Sequence, residues 1–526
     1  LLWFILMSSF FTMYSQDSSN IKKHLNYLGS DLFEGRGTGS IGGELAAKYI
    51  AINLNKYELT PMGYENTFYQ YIPMHGSKAT EDSKIVIVSD KADTLNIKDD
   101  FQFYHTGGRI FTPNEISTVF VGYGITADEY EYDDYKNINV EGKVVVYFEG
   151  EPSSDNPKYF KGELPTNYSF ADTKQKIALS KGAVGTIQIP NYSCKSEIDW
   201  EKLTQEYYFE DISLAYLPTP LFSILLNPKS APKLFNNAKY SFVEIQNMCR
   251  NGKCESFELL SKLLLKTKYK RRDFVSPNVV GYLKGSDEKL SNEYIIVSAH
   301  YDHLGVGFPV QEDSIYNGVL DNAIGVSALM ELAKMFSKNN FYLKRSVIFL
   351  FTTGEEKGLL GSSYFIEHSP VSRDKIIANI NIDGLAIFGD FNSIVGIGAG
   401  LSTLGDILNK VAKQDNLTVE NIDDGFDSYE SFLRSDQFGF AVSGIPSVLV
   451  SDELSLKDYT KDEVIGFWKD YIHNRYHTPF DDLSQIINYA ASIKHIRILY
   501  NFISELVNID KEITWKTSSP FQRGTN

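Results

Sequence analysis

The chain has 526 residues, with 51 Lys and Arg against 67 Asp and Glu and a formal net charge of −16. Hydrophobic residues make up 43% and charged residues 22%, which is typical of a folded globular protein and excludes a disordered, collagenous or multispanning membrane chain. The acidic balance argues against a general nucleic-acid binder, because contacts to phosphates need a basic face. At roughly 100–200 residues per domain, the length predicts about two to four domains.

The N-terminal stretch Leu1–Gln16 reads LLWFILMSSFFTMYSQ and carries no charge. A membrane-spanning helix needs about 20 apolar residues, and this run turns polar before that length. It is typical of the hydrophobic part of a secretory signal peptide, with a buried N-terminal helix as the alternative. We therefore expect a secreted, periplasmic or extracellular protein, without stable membrane insertion after cleavage of the signal.

The three cysteines, Cys194, Cys249 and Cys254, are too few for a disulfide framework or a cysteine-based zinc site. Cys249 and Cys254 flank four residues and could close a small surface loop, or both could remain free thiols. Both interpretations stay open.

Residues from about 110 to 265 differ from the rest of the chain in their pattern of residue types. Short runs rich in β-branched and aromatic residues predict strands at Val119–Gly124, Lys143–Phe148 and Lys181–Ile189. This segment is typical of a separate, mainly β module that is inserted into another domain.

From about 275 to 510 the chain alternates strands and helices. Apolar runs predict strands at Tyr294–Ser298, Ser346–Phe351, Ile376–Ile380 and Ser447–Val450. Helices are predicted between them, for example over Ile324–Ser337 and Ser402–Gln414. Near-continuous apolar strands separated by helices favour an α/β fold with a mostly parallel or mixed sheet between helices.

Ionisable side chains follow several of these strands, where an α/β sheet places its site. They are His300 and Asp302, the pair Glu355 and Glu356, and Asp383, with Asp321 opening a helix and His477 far downstream. Imidazole and carboxylate ligands suit zinc, and a two-metal hydrolase needs a bridging group, terminal ligands and a free carboxylate as base. Each signal alone is weak, because a single histidine at a strand end is more often structural and Asp-Asn before a helix is usually an N-cap.

Together, five segments closely resemble metallopeptidase family 28 of clan MH, a family of secreted aminopeptidases with two zinc ions. They are Ser298–Gly305, Asn317–Gly325, Thr353–Ser362, Ile380–Gly384 and Arg475–Pro479. The resemblance covers about residues 20–110 and 270–510. With the partial signal peptide predicted over 1–16, it implies a peptidase domain over 17–110 and 271–510 and leaves a C-terminal tail over 511–526. The stretch from Val119 to about Ile189 resembles the protease-associated domain that is often inserted in this family, which gives an inserted domain over 111–270.

The resemblance also implies a role for each site residue. One zinc ion would be held by His300, Asp321 and Asp383, and the other by Asp321, Glu356 and His477, with Asp321 as the bridge. Glu355 would be the general base, and Asp302 would fix the ring of His300. Tyr476 would steady the oxyanion, and Arg434 would contact the substrate. Leu320 stands where many members have an aspartate that is not a ligand.

The leading hypothesis is thus an aminopeptidase with two Zn²⁺ per chain that acts on peptides or proteins. A carboxypeptidase or dipeptidase on the same fold is the first alternative. A glutaminyl cyclase with one zinc is a second, and the full ligand set argues against it. A receptor-like binding protein without metal is a third, from a different functional class. Side-chain specificity and oligomeric state stay open.

Overall fold

The structure is a computed structural model. It describes residues 19–90, 92–107, 115–152, 156, 158–160, 166–190, 199–217, 222–339, 343–420, 432–452, 455–517 and 519–521. The expected signal peptide over residues 1–16 lies outside the described part. The chain divides into two compact units: the first comprises the residues up to Pro73 and from Val275 onwards, and the second runs from Met74 to Phe274.

The first unit contains a mixed β-sheet with a parallel centre. Four neighbouring central strands run parallel, in the order Ser346–Thr352, Tyr294–His300, Ile376–Asn381 and Ser447–Asp452. Antiparallel strands flank this centre on both sides, and the unit also has a separate two-stranded hairpin. The remaining strands of this unit are Thr60–Pro61, Ser393–Ile397, Thr418–Glu420, and the hairpin strands Gly305–Val310 and Asp313–Tyr316, whereas Tyr69–Ala79 and Tyr269–Leu283 belong partly to this unit and partly to the second.

Alternate residues of the central strands pack into two different cores. Ile295 and Val297 belong to a large core with residues of the helices on one face, whereas Ile296 belongs to a smaller core with Phe365 and Phe440 on the other. Because successive side chains of a strand point to opposite faces, helices cover both faces of the sheet. The expected fold, a mixed sheet between helices, is confirmed.

The α-helices of this unit form the layers around the sheet. They are Ser19–Leu28, Ile41–Lys56, Ile324–Lys338, Leu360–Glu367, Leu404–Gln414, Gln437–Val442, Lys461–Asp470 and Tyr489–Asn508. Helix Ile324–Lys338 is buried along most of its length, which explains its nearly continuous apolar sequence.

The second unit is built on its own eight-stranded sheet. Its strands lie in the order Asp93–Asn96, Lys84–Val88, Phe257–Lys266, Ile116–Phe120, Val144–Phe148, Gly185–Ile189, Phe222–Leu226 and Phe101–His105. Shorter strands are Thr126–Ala127, Tyr132–Asp133 and Asp211–Leu214, and the α-helices are Ala171–Ser180, Trp200–Glu206 and Phe242–Arg250. Its core contains phenylalanines from several strands, packed with isoleucine, valine and leucine side chains.

The second unit begins earlier than the sequence predicts for the inserted domain. Its first residue is Met74 rather than residue 111, because strand Lys84–Val88 pairs with Phe257–Lys266 and Phe101–His105 pairs with Phe222–Leu226. Cys249 and Cys254 are joined by a disulfide at the end of helix Phe242–Arg250. Of the two possibilities that the sequence leaves open for these cysteines, the structure shows the small closed loop.

A buried histidine attaches the C-terminal helix to the first unit. The main-chain N–H of Ala386 donates to Nδ1 of His495 at 3.2 Å, so Nε2 carries the hydrogen and donates to the carbonyl oxygen of Val450, also at 3.2 Å. Burial lowers the pKa of His495 to about 4, and the hydrogen bond to Val450 only partly opposes this shift. The folded protein therefore holds this ring in the neutral form.

This histidine predicts a loss of stability in mild acid. The unfolded chain binds a proton at His495 below the ordinary pKa of 6.5, whereas the folded chain does not until about pH 4. Stability therefore falls as the pH drops through that window, by up to about 3 kcal/mol for this group.

His495→Gln tests the prediction, because the glutamine amide can accept from Ala386 and donate to Val450 without titrating. Thermal melts across the window should show a smaller acid-induced decrease of Tm in His495→Gln than in the wild type. An equal decrease would mean that His495 does not contribute to it.

Candidate functional site

The site begins where the central parallel strands end. His300 is the last residue of its strand and pairs with Thr352 at the end of the neighbouring strand. Glu355 and Glu356 follow Thr352 after Gly354, which has a positive φ of 70° and lets the chain turn sharply. Parallel strands end at a common sheet edge, so the side chains that follow them meet there.

Asp321 reaches the same edge from a turn that precedes helix Ile324–Lys338. The turn spans Val319–Ala323, and the peptide bond between Asp321 and Asn322 is cis. The side chain of Asn322 accepts hydrogen bonds from the main-chain N–H groups of Gly325 and Gly384 and donates to Ile382. The amide of Asn322 thus links the turn of Asp321 to the loop of Asp383.

Asp321 lies between two imidazoles. Its Oδ1 is 3.3 Å from Nε2 of His300, and its Oδ2 is 3.4 Å from Nε2 of His477. His300 also approaches Asp383, with Nε2 3.2 Å from Oδ1, and His477 approaches Glu356, with Nε2 3.2 Å from Oε2. Each imidazole therefore faces two carboxylates, and the two pairs share Asp321.

These residues fit a metal centre. The Nε2 atom of His477 is buried and makes no hydrogen bond within the described part of the chain, although two carboxylate oxygens lie beside it. The ligand atoms of His300, Asp321 and Glu356 all lie within 4.8 Å of one another, and so do those of His300, Glu355 and Asp383. Nitrogen and oxygen donors in this combination suit Zn²⁺.

The carboxylates and imidazoles of the site stabilise each other's charged forms. Burial opposes the charged form of His300, but the carboxylates of Glu355 and Asp383 outweigh it and raise the pKa of His300 well above its ordinary value. For His477, the carboxylates of Glu356 and Asp321 outweigh burial and raise the pKa to about 10. The imidazoles in turn outweigh burial at Asp321 and hold the pKa of this carboxyl well below its ordinary value.

Glu355 behaves in the opposite way. Burial and then the negative charges of Asp383 and Glu356 raise the pKa of Glu355 well above its ordinary value, although His300 partly opposes this. The adjacent Glu356 has a lowered pKa, because the imidazoles of His477 and His303 outweigh burial and the charge of Asp321. Two neighbouring carboxyl groups with opposite shifts are the pattern expected of one proton carrier and one permanent anion.

The structure revises the expected role of Asp302. The ring of His300 donates its Nδ1–H to the main-chain carbonyl oxygen of Asp302 at 3.0 Å, not to the carboxylate. The Asp302 carboxylate accepts hydrogen bonds from the hydroxyl of Thr38 at 2.7 Å and from the main-chain N–H of Glu355 at 3.3 Å. Asp302 therefore contacts the backbone of Glu355 directly and fixes the ring of His300 through its carbonyl.

Tyr476 lies beside a predicted metal ligand, whereas Arg434 is exposed. The ring of Tyr476 stacks on His477, with centroids 3.8 Å apart, and burial followed by the charge of Asp321 raises its pKa well above the ordinary value. Arg434 is exposed, and its charge partly offsets that rise. The next residue, Ser435, donates a hydrogen bond to Oδ2 of Asp383 at 2.6 Å.

Three further residues hold the site and were missed in the sequence. Asp481 accepts hydrogen bonds from the main-chain N–H groups of Leu320 and Asp321, and so fixes the turn before the helix. Arg36 is buried and donates to carbonyl oxygens on both sides of the site, including those of Tyr301 and Gly318. His303 contacts Glu356. Its position within the motif His300-Tyr-Asp-His303 was the one available signal.

Comparisons with known proteins give a family match and several similar proteins. Residues 278–503 match the family model described as "Peptidase family M28". A probable leucine aminopeptidase 2 of Aspergillus oryzae is 29% identical over 188 residues, which cover 34% of this chain and 34% of that protein. A vacuolar membrane protease of Schizosaccharomyces japonicus is 26% identical over 260 residues, covering 48% of this chain and 25% of that protein.

A solved aminopeptidase from Aneurinibacillus sp. strain AM-1 has the same fold. It matches with a TM-score of 0.56 and 18% identity, and the alignment covers 95% of both chains. The two curated relatives above, in contrast, are matched over only about a third and a quarter of their own lengths. The family model lies within the first unit, so the protease-associated domain expected in the second stays a prediction.

The predicted secretion is wrong by these comparisons. Several of the curated relatives are named vacuolar membrane proteases, a name that assigns those proteins to a vacuolar membrane and not to a secreted form. The hydrophobic run at residues 1–16, on which the prediction rested, lies outside the described residues. Among the helices that the structure describes, none has the length and apolar character needed to span a bilayer.

For residues 278–503, the expected family and enzyme class, a zinc metallopeptidase, are confirmed by the family match. The matched segment contains the strands, the turn of Asp321 and every predicted metal ligand, since His477 also lies within it. Residues 278–503 of this chain therefore belong to peptidase family M28.

Proposed function

We propose that this chain is an aminopeptidase that binds two zinc ions and hydrolyses the N-terminal bond of peptides or proteins. The observation that supports it is the position of Asp321 between the imidazoles of His300 and His477. Each imidazole also faces a second carboxylate, which is Asp383 for His300 and Glu356 for His477. A carboxylate that faces two imidazoles through its two oxygens is suited to bridging two ions. His300 and Asp383 would complete one ion's ligands, and Glu356 and His477 the other's.

Two zinc ions held there would polarise the scissile carbonyl and make a water molecule acidic at neutral pH. Glu355 is then the general base: it accepts the proton of the attacking water and passes it to the leaving amine. Its raised pKa suits a group that has to take up and release a proton in one cycle. The phenol of Tyr476 stays protonated and can donate a hydrogen bond to the oxyanion.

The charge of the site favours an amino end over a carboxyl end of the substrate. Glu355 and Asp383 lie together near His300 and can receive the ammonium group of a free N-terminus. The guanidinium of Arg36, in contrast, is buried and already donates to main-chain carbonyls. The aminopeptidase name of the relative from Aspergillus oryzae supports the same choice.

A panel of fluorogenic aminoacyl amides, each with a free or an acetylated N-terminus, tests the proposal on the zinc-loaded protein. We expect hydrolysis of the free amides and none of the acetylated ones. Hydrolysis of N-blocked dipeptides with a free carboxylate, without hydrolysis of the free amides, would identify a carboxypeptidase instead.

Replacing the general base should separate metal binding from turnover. In Glu355→Gln, zinc content should stay at the wild-type value, whereas kcat should fall by roughly 10²–10⁴-fold, because no carboxylate accepts the proton. Metal analysis and steady-state kinetics measure the two quantities. Full activity in this variant would refute the role of Glu355.

Removing a ligand should affect the metal itself. His477→Ala should lose one of two zinc equivalents on dialysis at limiting zinc, because Asp321 and Glu356 alone then face that position. His495→Gln, which replaces a buried histidine outside the proposed ligand set, is the matched control and should keep both equivalents. Two tightly bound zinc ions in His477→Ala would rule out this ligand assignment.

A further inference from the structure

His303 is a buried imidazole that the proposed ligand set leaves without a role. Its side chain is fully buried, and its Nδ1 lies 2.5 Å from Oε1 of Glu356 and 3.9 Å from Oδ2 of Asp321. Its ring approaches that of His477 edge to face, with centroids 5.7 Å apart. A histidine so close to two expected ligands acts on the metal centre, either as a ligand or through another residue.

The position of the ring is built into the backbone on two sides. The main-chain N–H of His303 donates to the carbonyl oxygen of Arg36 at 3.3 Å. On the other side lies Gly318, where a Cβ atom would come within 2.5 Å of the Cγ and Cδ2 atoms of His303. Gly318 also has a positive φ of 57°, a conformation that favours glycine. The glycine thus allows the turn before Asp321 to lie against the imidazole.

The two oxygens of Glu356 have different neighbours. Oε1 faces Nδ1 of His303, whereas Oε2 faces Nε2 of His477 at 3.2 Å. A carboxylate oxygen has no hydrogen to give, so the hydrogen in the contact with His303 belongs to Nδ1. Two ligand atoms on one tetrahedral zinc ion, each about 2.0–2.2 Å from it, lie roughly 3.3 Å apart. The contacts of His300 and His477 with their carboxylates have this spacing, whereas Nδ1 of His303 lies only 2.5 Å from Oε1. The Nδ1 atom of His303 therefore donates directly to Glu356, with no room for an ion between the two atoms.

We propose that His303 is a positioning residue, which holds Oε1 of Glu356 so that only Oε2 is directed to the zinc ion shared with His477. The inference rests on the proposed function, because it requires zinc at this position. Residues that orient a ligand by hydrogen bonding typically change metal affinity by about 10–100-fold when they are removed. His303 would do this for a carboxylate ligand.

Zinc titrations of the metal-free protein, followed by calorimetry or with a chromophoric chelator, test the proposal without any activity measurement. We expect His303→Ala to weaken the binding of one zinc ion by about 10–100-fold and to leave the other unchanged. The weakened step should be the one that His477→Ala abolishes. His495→Gln is again the control for a buried histidine replaced outside the site.

His303→Asn distinguishes the two roles of the imidazole. The asparagine amide can donate from nearly the same place as Nδ1 but is a poor zinc ligand. We therefore expect His303→Asn to recover most of the affinity that His303→Ala loses. If His303→Asn binds zinc as weakly as His303→Ala, the imidazole is itself a ligand and the proposal is wrong.

The remaining outcomes are also decisive. Unchanged zinc affinity in His303→Ala, with only a lower Tm of the metal-free protein, would reduce His303 to a packing role and overturn the proposal. A wild-type protein that binds fewer than two zinc ions would instead contradict the proposed function. The wild-type titration therefore separates failure of the proposed function from failure of this inference.

Discussion

The carboxylates of Asp321, Glu355 and Glu356 are buried close together, and their mutual repulsion is the force that the rest of the site has to balance. Two such charges 4 Å apart repel by about 4 kcal/mol at an effective dielectric constant of about 20. The imidazoles of His300, His303 and His477 interleave with them, and each contacts at least one carboxylate. The opposite pKa shifts of Glu355 and Glu356 follow from this arrangement.

Such a concentration of charge persists only if the backbone cannot relax away from it. Central strands of the sheet hold His300 and the Glu355–Glu356 pair, and hydrogen bonds hold the turn of Asp321. Asn322 joins that turn to the loop of Asp383, Asp481 accepts from its main-chain N–H groups, and Arg36 binds the carbonyl of Gly318. The carboxylates are thus fixed by groups that lie outside the proposed ligand set.

The sequence predicts the parts of this architecture that depend on local pattern. The buried strand predicted at Tyr294–Ser298 extends to His300, and the helix predicted over Ile324–Ser337 ends at Lys338. What it does not reveal depends on distant pairing or on main-chain atoms. Strand Lys84–Val88 joins the second unit through residues far along the chain, and the contact of His300 with Asp302 uses a carbonyl oxygen that every residue has.

Residues 74–274 interrupt the first unit at a point in the chain where evolution can insert a module. The interruption falls in two strands that are hydrogen-bonded neighbours, Tyr69–Ala79 and Tyr269–Leu283. In a simple β-hairpin, adjacent antiparallel strands are joined by a turn of a few residues. The entropy of closing a loop between two such ends grows only with the logarithm of loop length. A long module can therefore replace a short turn at this point, or be exchanged for another, at little cost to the unit that carries the His300–Asp321–His477 cluster.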